Sequence, residues 1–573
     1  MVNVTIDGKQ YNVPEGATVL EACKQAGIDI PVLCYHPDLT PVGSCRLCVV
    51  DIEGQRTFQP SCAYPVYDGM VVRTNTKEVR EARKMALELI LSRHPQECLT
   101  CERNNSCELQ KLAADFNMTE IYFPNQLPAM QTEQESKVIV REHEKCINCG
   151  RCLRACQEVQ TVNALEYMNR GYEKLPLPTG GRKLHETTCT YCGQCVNVCP
   201  TGALHEYDES DQVWEWIEDP DIHVVVQTAP AIRVSIGEEM GLDPGYLSTE
   251  KLVGGLRKLG FDKVFDTDFT ADLTIIEEGH ELLHRVKNGG TLPMITSCSP
   301  GWIKFMETFY SDLIPHVSSC KSPQQMFGAL AKTFYPQKAG IDPAKVRCVS
   351  IMPCTAKKYE CRRPEMNDSG YQDVDVVLTT RELGKMMKSV GIDFEEIAPD
   401  NYDAPLGLST GAAAIFGATG GVMEAALRTV YEVVTGEELA DIDLKMVRGM
   451  EGVKEATVPV GDLNVKVAVT NGLSNARKVL DKIRAGEADY HFIEIMCCPS
   501  GCVGGGGQPR PTSPDKRQAR MDAIYCEDCN MEIRKSHKNP AITAIYEEFL
   551  KEPLGERSHH LLHTKYKAQD SNI

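Results

Sequence analysis

Cysteines in tight groups are the residues of this sequence best suited to chemistry. The 573-residue chain contains 26 cysteines, and 16 of them lie before residue 200, mostly with two or three residues between neighbours. Disulfides gain from closing longer loops, whereas clustered thiolates are ligands for soft metal centres. The opening residues Met1–Gly8 are strand-like and mildly polar, unlike a secretory signal. We therefore expect a cytoplasmic protein whose reduced cysteines bind metal.

A repeated cysteine motif gives the most specific prediction. The run C-x2-C-x2-C-x3-C occurs once from Cys146 to Cys156 and again from Cys189 to Cys199, where Pro200 follows. Paired runs of this kind hold two 4Fe-4S clusters, and the fourth cysteine of each run binds the other cluster. The predicted ligands are Cys146, Cys149, Cys152 and Cys199 for one cluster, and Cys189, Cys192, Cys195 and Cys156 for the second.

Two further groups precede the repeat. Their members are Cys34, Cys45, Cys48 and Cys62 in the first group, and His94, Cys98, Cys101 and Cys107 in the second. The first spacing suits a 2Fe-2S cluster, and in the second a histidine completes the four ligands of a 4Fe-4S cluster. The alternatives are zinc at either group, or scattered core thiols at the first. In this order the groups resemble the first modules of the large electron-transfer subunit of respiratory complex I. Four clusters in succession predict a chain of one-electron carriers. Such an electron-transfer chain must lead to a reactive site.

Three segments of the second half carry residues for that reactive site, namely Thr296–Trp302, Met352–Glu360 and Glu494–Pro509. In the third segment, Cys498-x3-Cys502 is followed by four glycines, so the backbone must approach another group closely there. The glycines are contiguous and do not form the G-x-G-x-x-G of a dinucleotide loop. With Cys354 and one group from the first segment, these cysteines supply the ligands of a fifth cluster.

The three segments resemble the signature motifs of the [FeFe]-hydrogenases, and the similarity runs through nearly the whole chain. The resemblance implies reversible oxidation of dihydrogen at an H-cluster. This is a 4Fe-4S cubane joined through a shared cysteine thiolate to a two-iron centre with carbon monoxide, cyanide and dithiolate ligands. By the match, Cys354, Cys498 and Cys502 bind the cubane, Cys502 is the bridge, and Lys357 donates to a cyanide. The other residues expected around the two-iron centre are Met352, Met496, Pro230, Ala231 and Phe416.

The resemblance also implies a proton relay from the active centre to the surface. Its positions match Cys298, Glu278, Ser318, Glu281 and Arg285. Glu278 and Glu281 are three residues apart, a spacing that places both on one face of a helix. Without the family match, the same spacing would be typical of a solvated helix face.

The first segment departs from the family pattern. The family has two adjacent cysteines before the proline, the first relaying protons and the second binding the cubane, whereas this chain has Cys298 and then Ser299. In one interpretation Cys298 is the relay, and the fourth cubane ligand is the Ser299 oxygen or the additional thiol of Cys497. In the other, the loop shifts so that Cys298 binds iron and Ser299 passes the proton. Register favours the first interpretation, although thiolate is the better iron ligand.

The elements that position these residues indicate a multidomain α/β and α+β protein. Strand-like alternation opens the chain, a helical pattern follows at Lys77–Ser92, and strands alternate with helices beyond about residue 220. After Gly555 the tail is polar and predicted to be extended. The predicted domains are a plant-ferredoxin-like β-grasp 2Fe-2S domain at 1–76, a 4Fe-4S domain with one histidine and three cysteine ligands at 77–124, a double 4Fe-4S ferredoxin domain at 137–208 and an α/β hydrogenase catalytic domain at 220–573.

The net charge and the hydropathy of the chain restrict the kinds of partner that it can bind. The formal net charge of −19 argues against binding to nucleic acid or an anionic membrane. No apolar run approaches the roughly 18 residues of a membrane span. Because no flavin or nicotinamide site is visible, electrons are expected to pass to or from flavin- and NAD(P)-binding iron–sulfur subunits, ferredoxin or both. The domain order resembles that of the hydrogenase subunit of multimeric NAD(P)- and ferredoxin-linked enzymes, some of them electron-bifurcating, and predicts a hetero-oligomer.

Other functions compete with this one. A monomeric ferredoxin-linked hydrogenase has the same domain order, and a purely electron-transferring subunit would have lost ligands such as Cys354 and Cys498, which are present. A hydrogen sensor would carry a signalling domain, and none is visible. The sequence leaves open NAD versus NADP and the direction of catalysis. The pair Cys526-x2-Cys529 could be surface thiols or an intersubunit zinc or iron site; the cysteines predicted to be structural are Cys23, Cys320, Cys348 and Cys361.

Overall fold

The structure, a computed structural model, describes residues 1–124, 130–461 and 463–569. The N-terminal unit is a five-stranded sheet with one helix packed on it. Its elements are β1 (Val2–Ile6), β2 (Lys9–Val13), α1 (Val19–Gln25), β3 (Val49–Ile52), β4 (Gln59–Pro60) and β5 (Met70–Arg73). The strand order is β2-β1-β5-β3-β4, with β1 parallel to β5 and antiparallel to β2. Val4 and Ile6 are buried, so their alternation with polar residues predicted this strand correctly.

The middle of the chain consists of short elements joined by cysteine loops. They are α2 (Lys77–Leu91), α3 (Glu108–Asp115), β6 (Ile139–Arg141), α4 (Arg151–Arg154), β7 (Leu165–Met168), β8 (Leu175–Pro178), α5 (Gln194–Asn197) and β9 (Leu204–Glu206). Strand β6 pairs with β9 and β7 with β8, both antiparallel. Each cysteine run enters a four-residue helix through a left-handed glycine, Gly150 at φ 68° and Gly193 at φ 69°. The sequence repeat is therefore also a structural repeat.

Two four-stranded sheets organise the second half. Their strands are β10 (His223–Thr228), β11 (Lys263–Asp266), β12 (Met294–Ile295), β13 (Val346–Met352), β14 (Val376–Thr379), β15 (Val453–Val460), β16 (Leu463–Asn471) and β17 (Phe492–Met496). The first sheet, β11-β10-β13-β14, is parallel throughout. The second, β12-β17-β16-β15, is parallel except for β15. Buried parallel strands are nearly continuous apolar runs, as at Val224–Val226.

Helices accompany both sheets. They are α6 (Ser210–Glu218), α7 (Ile236–Glu239), α8 (Thr249–Leu259), α9 (Thr267–Asn288), α10 (Pro300–Phe309), α11 (Pro323–Lys332), α12 (Phe334–Ala339), α13 (Ala356–Glu360), α14 (Thr380–Ser389), α15 (Gly411–Ala414), α16 (Gly421–Thr435), α17 (Leu473–Arg484), α18 (Pro514–Asn530), α19 (Pro540–Ile545) and α20 (Glu556–Leu562). Helix α9 begins at the Asp266 side-chain cap, ends at a left-handed glycine, Gly289, and packs against α11 and α16.

The C-terminal segment differs from the prediction. The stretch after Gly555 was expected to be extended, but it forms α20 and then pairs His563 with Cys320. Ser558 and Leu562 are fully buried, so this polar segment has a buried face that its overall composition does not predict. Within the described parts of the chain, no helix combines the length and apolarity needed to cross a bilayer.

Candidate active site

The candidate site lies where the carboxyl ends of four strands meet. Pro230 follows β10 and Cys354 follows β13 in the first sheet, while Cys298 follows β12 and Cys498 follows β17 in the second. Loops at the carboxyl ends of parallel strands are the usual position of ligand sites in α/β proteins. The three sequence segments singled out for chemistry are brought together here by both sheets.

A cavity of about 80 Å³ occupies this position. Pockets that enclose organic ligands of drug size measure roughly 300–1,000 Å³, so a nicotinamide or flavin would not fit. The wall is mostly apolar, which keeps water away from a bound group. Its residues are Ala229, Pro230, Thr267, Ala271, Cys298, Ser299, Pro300, Pro323, Gln324, Met352, Pro353, Cys354, Lys357, Phe416, Met496, Cys497, Cys498, Gly501, Cys502 and Gly505.

Three cysteines of the wall, Cys354, Cys498 and Cys502, lie close to one another. Burial, and then the nearness of Cys498 and Cys502, raises the pKa of the Cys354 thiol. Burial and Cys498 likewise raise the pKa of Cys502 to about 12. Thiols kept protonated by burial and mutual repulsion become thiolates when a soft cation binds among them. This donor set fits an iron–sulfur cubane.

Lys357 supplies a charged hydrogen-bond donor in the wall of the cavity. Its Nζ donates to the Cys298 carbonyl oxygen at 3.2 Å and lies 2.8 Å from Glu360 Oε2. Glu360 also accepts hydrogen bonds from Ser322 Oγ at 2.9 Å and from Gln324 Nε2 at 3.1 Å. An ammonium fixed by a buried carboxylate in an apolar wall is suited to an anionic ligand. The sequence analysis did not single out Glu360 or Gln324, although the three-residue spacing from Lys357 to Glu360 on one helix was a usable signal.

Cys298, Ser299 and Cys497 occupy different sides of the wall. Cys298 packs with the apolar cluster that contains Phe416 and Met496, whereas Cys497 packs with the cluster of Cys498. Ser299 Oγ accepts a 3.2 Å hydrogen bond from the backbone N–H of Cys497. The Cys497 Sγ lies 4.0 Å from Gln160 Oε1, on the side of the double-cluster unit.

The residues predicted to relay protons form one connected row beside the cavity. Burial, followed by the charge of Glu278, raises the pKa of Cys298, so these two groups are neighbours. Glu278 lies near Ser318, and burial and then Glu281 raise the pKa of Glu278 to about 8. Ser318 Oγ donates to Glu281 Oε2 at 2.9 Å, and Arg285 Nη2 donates to Glu281 Oε1 at 2.6 Å. A carboxyl with a pKa near neutrality can both accept and release a proton.

Four glycines, Gly504–Gly507, bring the site against the double-cluster unit. A Cβ added to Gly506 would lie 2.4 Å from the Cys192 carbonyl oxygen. Beside this contact, Thr355 Oγ1 donates to the Tyr191 carbonyl oxygen at 2.7 Å. The close backbone approach predicted from the glycines is therefore confirmed, and its partner is the loop of the second cysteine run.

The two cysteine runs are placed as the crossed pairing expects. Cys146, Cys149, Cys152 and Cys199 line one cavity, here named the distal cubane site because it is the predicted place of the cluster farther from the candidate active site. Cys156 lies near Cys189 and Cys192, and these three with Cys195 are the predicted ligands of the nearer cluster, here named the proximal cubane site. The backbone N–H groups of Asn148 and Tyr191 donate to Cys146 Sγ and Cys189 Sγ, both at 3.4 Å. Both donors have left-handed backbones, at φ 56° and 57°. This strained geometry aims an N–H at a sulfur, which stabilises a thiolate ligand.

His94 faces three cysteines in a separate cavity, lined also by Cys98, Cys101 and Cys107. Among the described residues its Nδ1 has no hydrogen-bond partner, and burial lowers the pKa of His94 to about 4. A buried neutral imidazole with an unused nitrogen is suited to metal coordination. A Cβ added to Gly202 would lie 2.7 Å from Cys101 Sγ, so this group adjoins the loop that follows Cys199.

The first four cysteines also converge. The Cys34 thiol bonds to those of Cys45 and Cys62, and Cys62 bonds to Cys48. Arg154 Nη2 donates to the carbonyl oxygens of Cys34, at 2.6 Å, and Cys149, at 3.3 Å. The first group and the His94 group therefore both adjoin the distal cubane site, in a branched arrangement that the sequence, read as a linear series, did not indicate.

Some predicted residues lie outside these sites. Ala231 is fully buried, but it packs with Ile415 and Val503 and does not line the cavity. Cys526 and Cys529 are both exposed on α18. The cysteines predicted to be structural, Cys23, Cys320, Cys348 and Cys361, are all buried.

Known protein families match five successive parts of the chain. The largest match, over residues 222–506, is to the C-terminal domain of the iron only hydrogenase large subunit. The others are a 2Fe-2S iron-sulfur cluster binding domain (1–77), the NADH-ubiquinone oxidoreductase-G iron-sulfur binding region (83–121), a 4Fe-4S dicluster domain (145–203) and the iron hydrogenase small subunit (514–569). The sequence analysis had not separated the last of these from the catalytic domain.

Relatives align along the whole chain. The NADP-reducing hydrogenase subunit HndD of Solidesulfovibrio fructosivorans is 50% identical over 99% of both chains. Iron hydrogenase 1 of Clostridium pasteurianum is 39% identical over 99% of this chain and 100% of that one. Among solved structures, the apo [FeFe]-hydrogenase HydA1 of Chlamydomonas reinhardtii is 46% identical, with a TM-score of 0.57 over 63% of this chain and 99% of that one.

Proposed function

Because the chain belongs to the [FeFe]-hydrogenase family, we propose that it is the dihydrogen-converting subunit of a hetero-oligomer that exchanges electrons with NADP. The observation that carries the catalytic assignment is the convergence of Cys354, Cys498, Cys502 and Lys357 on one small apolar cavity beside the double-cluster unit. When bound there, the H-cluster supplies the site at which dihydrogen is split into protons and electrons. The chain supplies ligands, a donor and an apolar enclosure.

The assignment of residues follows from their surroundings. Cys354, Cys498 and Cys502 bind the cubane, and Lys357 holds an anionic ligand of the two-iron centre through its Nζ. Met352, Met496, Phe416 and Pro230 exclude water, since all four line the cavity. Ala231 acts only indirectly, as packing behind that wall.

Cys298 is the first proton carrier, and Ser299 is the fourth cubane ligand. Supporting this, Cys298 packs on the side of Phe416 and Met496 and neighbours Glu278. Ser299 Oγ lines the cavity and accepts a backbone N–H, as ligand atoms of iron–sulfur clusters commonly do. The Cys497 thiol lies beside those of Cys192 and Cys498 and 4.0 Å from Gln160 Oε1, between the cavity and the double-cluster unit, so it is the alternative fourth ligand. Protons then pass along Glu278, Ser318, Glu281 and Arg285.

Electrons leave through the proximal and then the distal cubane site, where two arms meet. One arm is the 2Fe-2S group in a plant-ferredoxin-like β-grasp domain, and the other is the His94 group with its three cysteines. With one 2Fe-2S cluster, three 4Fe-4S clusters and the H-cluster, the chain holds about 20 iron atoms. The domain limits proposed are 1–76, 77–124, 137–208 and 220–573.

The NADP-linked partner is supported by the 50% identity over 99% of both chains with an NADP-reducing hydrogenase subunit. The cavity at the candidate active site is too small for a nicotinamide, so the nicotinamide reacts away from this site, and we place that reaction on another subunit. The test is affinity purification from the native host under anaerobic conditions. We expect flavin-containing iron–sulfur subunits to co-purify and the complex to reduce NADP with dihydrogen. A chain that purifies alone and reduces only ferredoxin would instead be a monomeric ferredoxin-linked hydrogenase.

A further inference from the structure

Four arginines near the distal cubane site have buried guanidinium nitrogens and, among the described residues, no carboxylate within salt-bridge distance. They are here called the junction arginines and are Arg93, Arg103, Arg154 and Arg510. The Nε atoms of Arg93, Arg103 and Arg510 make no hydrogen bond within the described ranges, and Arg154 donates to backbone carbonyl oxygens. A buried cation without a counter-ion is costly, so an anion is expected beside this group.

Two junction arginines lie on the side of the distal cubane site that faces the first cysteine group. Arg154 Nη2 donates to the Cys149 carbonyl oxygen at 3.3 Å and to the Cys34 carbonyl oxygen at 2.6 Å. Arg93 lines a cavity together with Cys149 and Cys45. These two side chains therefore lie between the distal cubane site and the 2Fe-2S group.

The other two lie on the side of Cys199. Arg510 Nη1 donates at 3.2 Å to the carbonyl oxygen of Val196, three residues before Cys199. A Cβ added to Gly202, three residues after Cys199, would lie 3.7 Å from Arg103 Cγ. Burial, followed by the charges of two other arginines, one of them Arg103, lowers the pKa of Arg510 to about 9. Like charges are thus gathered here at a cost in free energy.

An iron–sulfur cluster is the anion that fits this position. Four thiolate ligands make a cubane negative, and each electron that it takes up adds one more negative charge. Two further arginines near the distal cysteines, Arg141 and Arg151, have carboxylate partners, Glu133 at 3.4 Å and Glu108 at 2.9 Å. Their charges are balanced within the protein, whereas those of the junction arginines remain to stabilise the reduced cubane.

The proximal cubane site differs in the charge around it. The cation beside Cys189 is Lys304, whose Nζ lies 4.3 Å and 4.6 Å from the ring centroids of Tyr191 and Tyr359. The backbone N–H groups that donate to Cys146 and Cys189 do so at the same distance, 3.4 Å. Since net charge and hydrogen bonds to sulfur both set the potential of a cluster, the local geometry of the two sites is matched and the surrounding charge is not.

We propose that the junction arginines make the distal cubane the more readily reduced cluster of the double-cluster unit. One electron passes from the reduced proximal cubane, which is oxidised, to the oxidised distal cubane, which is reduced, and no bond or proton moves. The proximal cubane is then oxidised again when the second electron of a dihydrogen pair leaves the active site. This inference rests on the proposed function, since it uses the proposed assignment of clusters to the two cysteine runs.

Potentiometric titration of the full-length enzyme, followed by electron paramagnetic resonance, measures the reduction potential of each cubane. Cys152→Ser and Cys195→Ser each alter one predicted ligand and so identify the distal and the proximal signal. Arg103→Gln and Arg510→Gln each remove one junction charge, and the Lys variants at the same positions keep it. Lys304→Gln is the matched control beside the proximal site. Iron content, infrared bands and melting temperatures check that each variant is loaded and folded.

In the wild type, an electron shared by the two cubanes should favour the distal one by about tenfold or more. Each Gln variant should move this distribution towards the proximal cubane by about tenfold, or about 59 mV for a one-electron couple. The Lys variants should stay near the wild type, and Lys304→Gln should move the distribution in the opposite direction.

Equal or reversed potentials in the wild type would overturn the proposal, and so would Lys variants that shift as far as the Gln variants, because the effect would then be structural. If iron content and infrared bands are normal, these outcomes leave the proposed function standing. A wild type that lacks the signals of two 4Fe-4S clusters in this unit would instead contradict the cluster assignment, and this inference with it.

Discussion

Ser299 replaces a thiolate by a hydroxyl at the proposed fourth ligand position. Its Oγ accepts the Cys497 N–H, and Ser299 lines the same cavity as Cys354, Cys498 and Cys502. Ser299→Ala should therefore leave the cubane with three protein ligands, so that it loses iron or shows one iron site with altered coordination. Mössbauer spectra of iron-57 protein, produced without the maturation of the two-iron centre, report this directly. Cys497→Ala is the matched control and should keep an intact cubane; the reverse pattern would make Cys497 the ligand.

The proposed role of Cys298 in proton transfer should be separable by mutation from binding of the cubane. Because its side chain packs with Phe416 and Met496 and neighbours Glu278, Cys298→Ala in fully matured enzyme should retain the infrared bands of carbon monoxide and cyanide. Turnover should fall by about 10²- to 10⁴-fold, the usual contribution of a positioned proton carrier. Loss of the cubane in this variant would mean that Cys298 binds iron and Ser299 carries the proton.

The raised pKa of Glu278 makes the stability of the folded protein depend on pH. Its pKa is raised from 4.5 to about 8, first by burial and then by Glu281. The folded protein therefore binds this proton more tightly than the unfolded chain, so the stabilisation is complete below pH 4.5 and is lost as the pH rises to about 8. Glu278→Gln cannot ionise. The melting temperature of the wild type minus that of the variant should fall between these values and level off above them, whereas Glu547→Gln, an exposed control, should show a flat difference.

Residue types and spacing predicted which residues lie together at the candidate site. The crossed pairing of Cys199 with Cys146 follows from a motif whose geometry is local, and so does the i, i+3 placement of Glu278 and Glu281. The position of Ala231 behind the wall did not follow, because one residue's orientation in a turn depends on packing against Ile415 and Val503 from distant parts of the chain. The sequence also does not give the directions in which the Cys298 and Ser299 side chains point, so their two roles could not be assigned from it.

At the scale of elements, the glycine run Gly504–Gly507 decides how closely the candidate active site and the proposed proximal cubane site approach each other. A Cβ on Gly506 would lie 2.4 Å from the Cys192 carbonyl oxygen and 2.7 Å from the Gly193 Cα, and neither backbone atom can yield easily. Gly506→Ala should cost about 1–3 kcal/mol of stability and separate the two loops. Thermal unfolding and the rate at which dihydrogen reduces the proximal cluster, followed by electron paramagnetic resonance, measure both effects.

Gly279→Ala is the control for this prediction. Its added Cβ would meet only Val430 Cγ2, at an ordinary 3.5 Å, inside a helix that favours alanine. We expect wild-type stability or better. If Gly506→Ala behaves like this control, the loop contact is not what couples the site to the clusters.

The predictions of secondary structure succeeded for strands that are buried along their whole length. They failed for a helix whose buried face depends on contacts with residues distant in the sequence. Apolar runs in buried parallel strands are evident in the sequence, and they predict β10, β11, β13, β14 and β16 within a few residues. The predicted runs are Val224–Gln227, Val264–Asp266, Val346–Ile351, Val374–Thr379 and Val465–Thr470. Helix α20 was not predicted, since its inner face is defined by contacts such as Ser558 with Glu277, 281 residues apart in the chain.

At the scale of the whole molecule, the N-terminal unit is the proposed route to the nicotinamide-binding subunit. Deleting residues 1–75 should abolish dihydrogen-driven NADP reduction and leave the reduction of a small dye, because the remaining clusters still reach the surface. Cys48→Ser, which removes one ligand without removing the domain, is the companion variant and should give the same selective loss. Persistence of NADP reduction in both variants would show that electrons leave through the His94 arm.

The distal cubane site has two neighbours on its outer side, one reached through Arg154 and the other through Gly202 and Cys101. Dihydrogen yields electrons in pairs, but each iron–sulfur cluster carries them singly. On the proposed cluster assignment, a junction at the distal cubane site would let the two electrons of one pair travel to different acceptors, with the division set by the reduction potentials of the two arms. The number of electrons that each proposed partner receives would then be set within this chain.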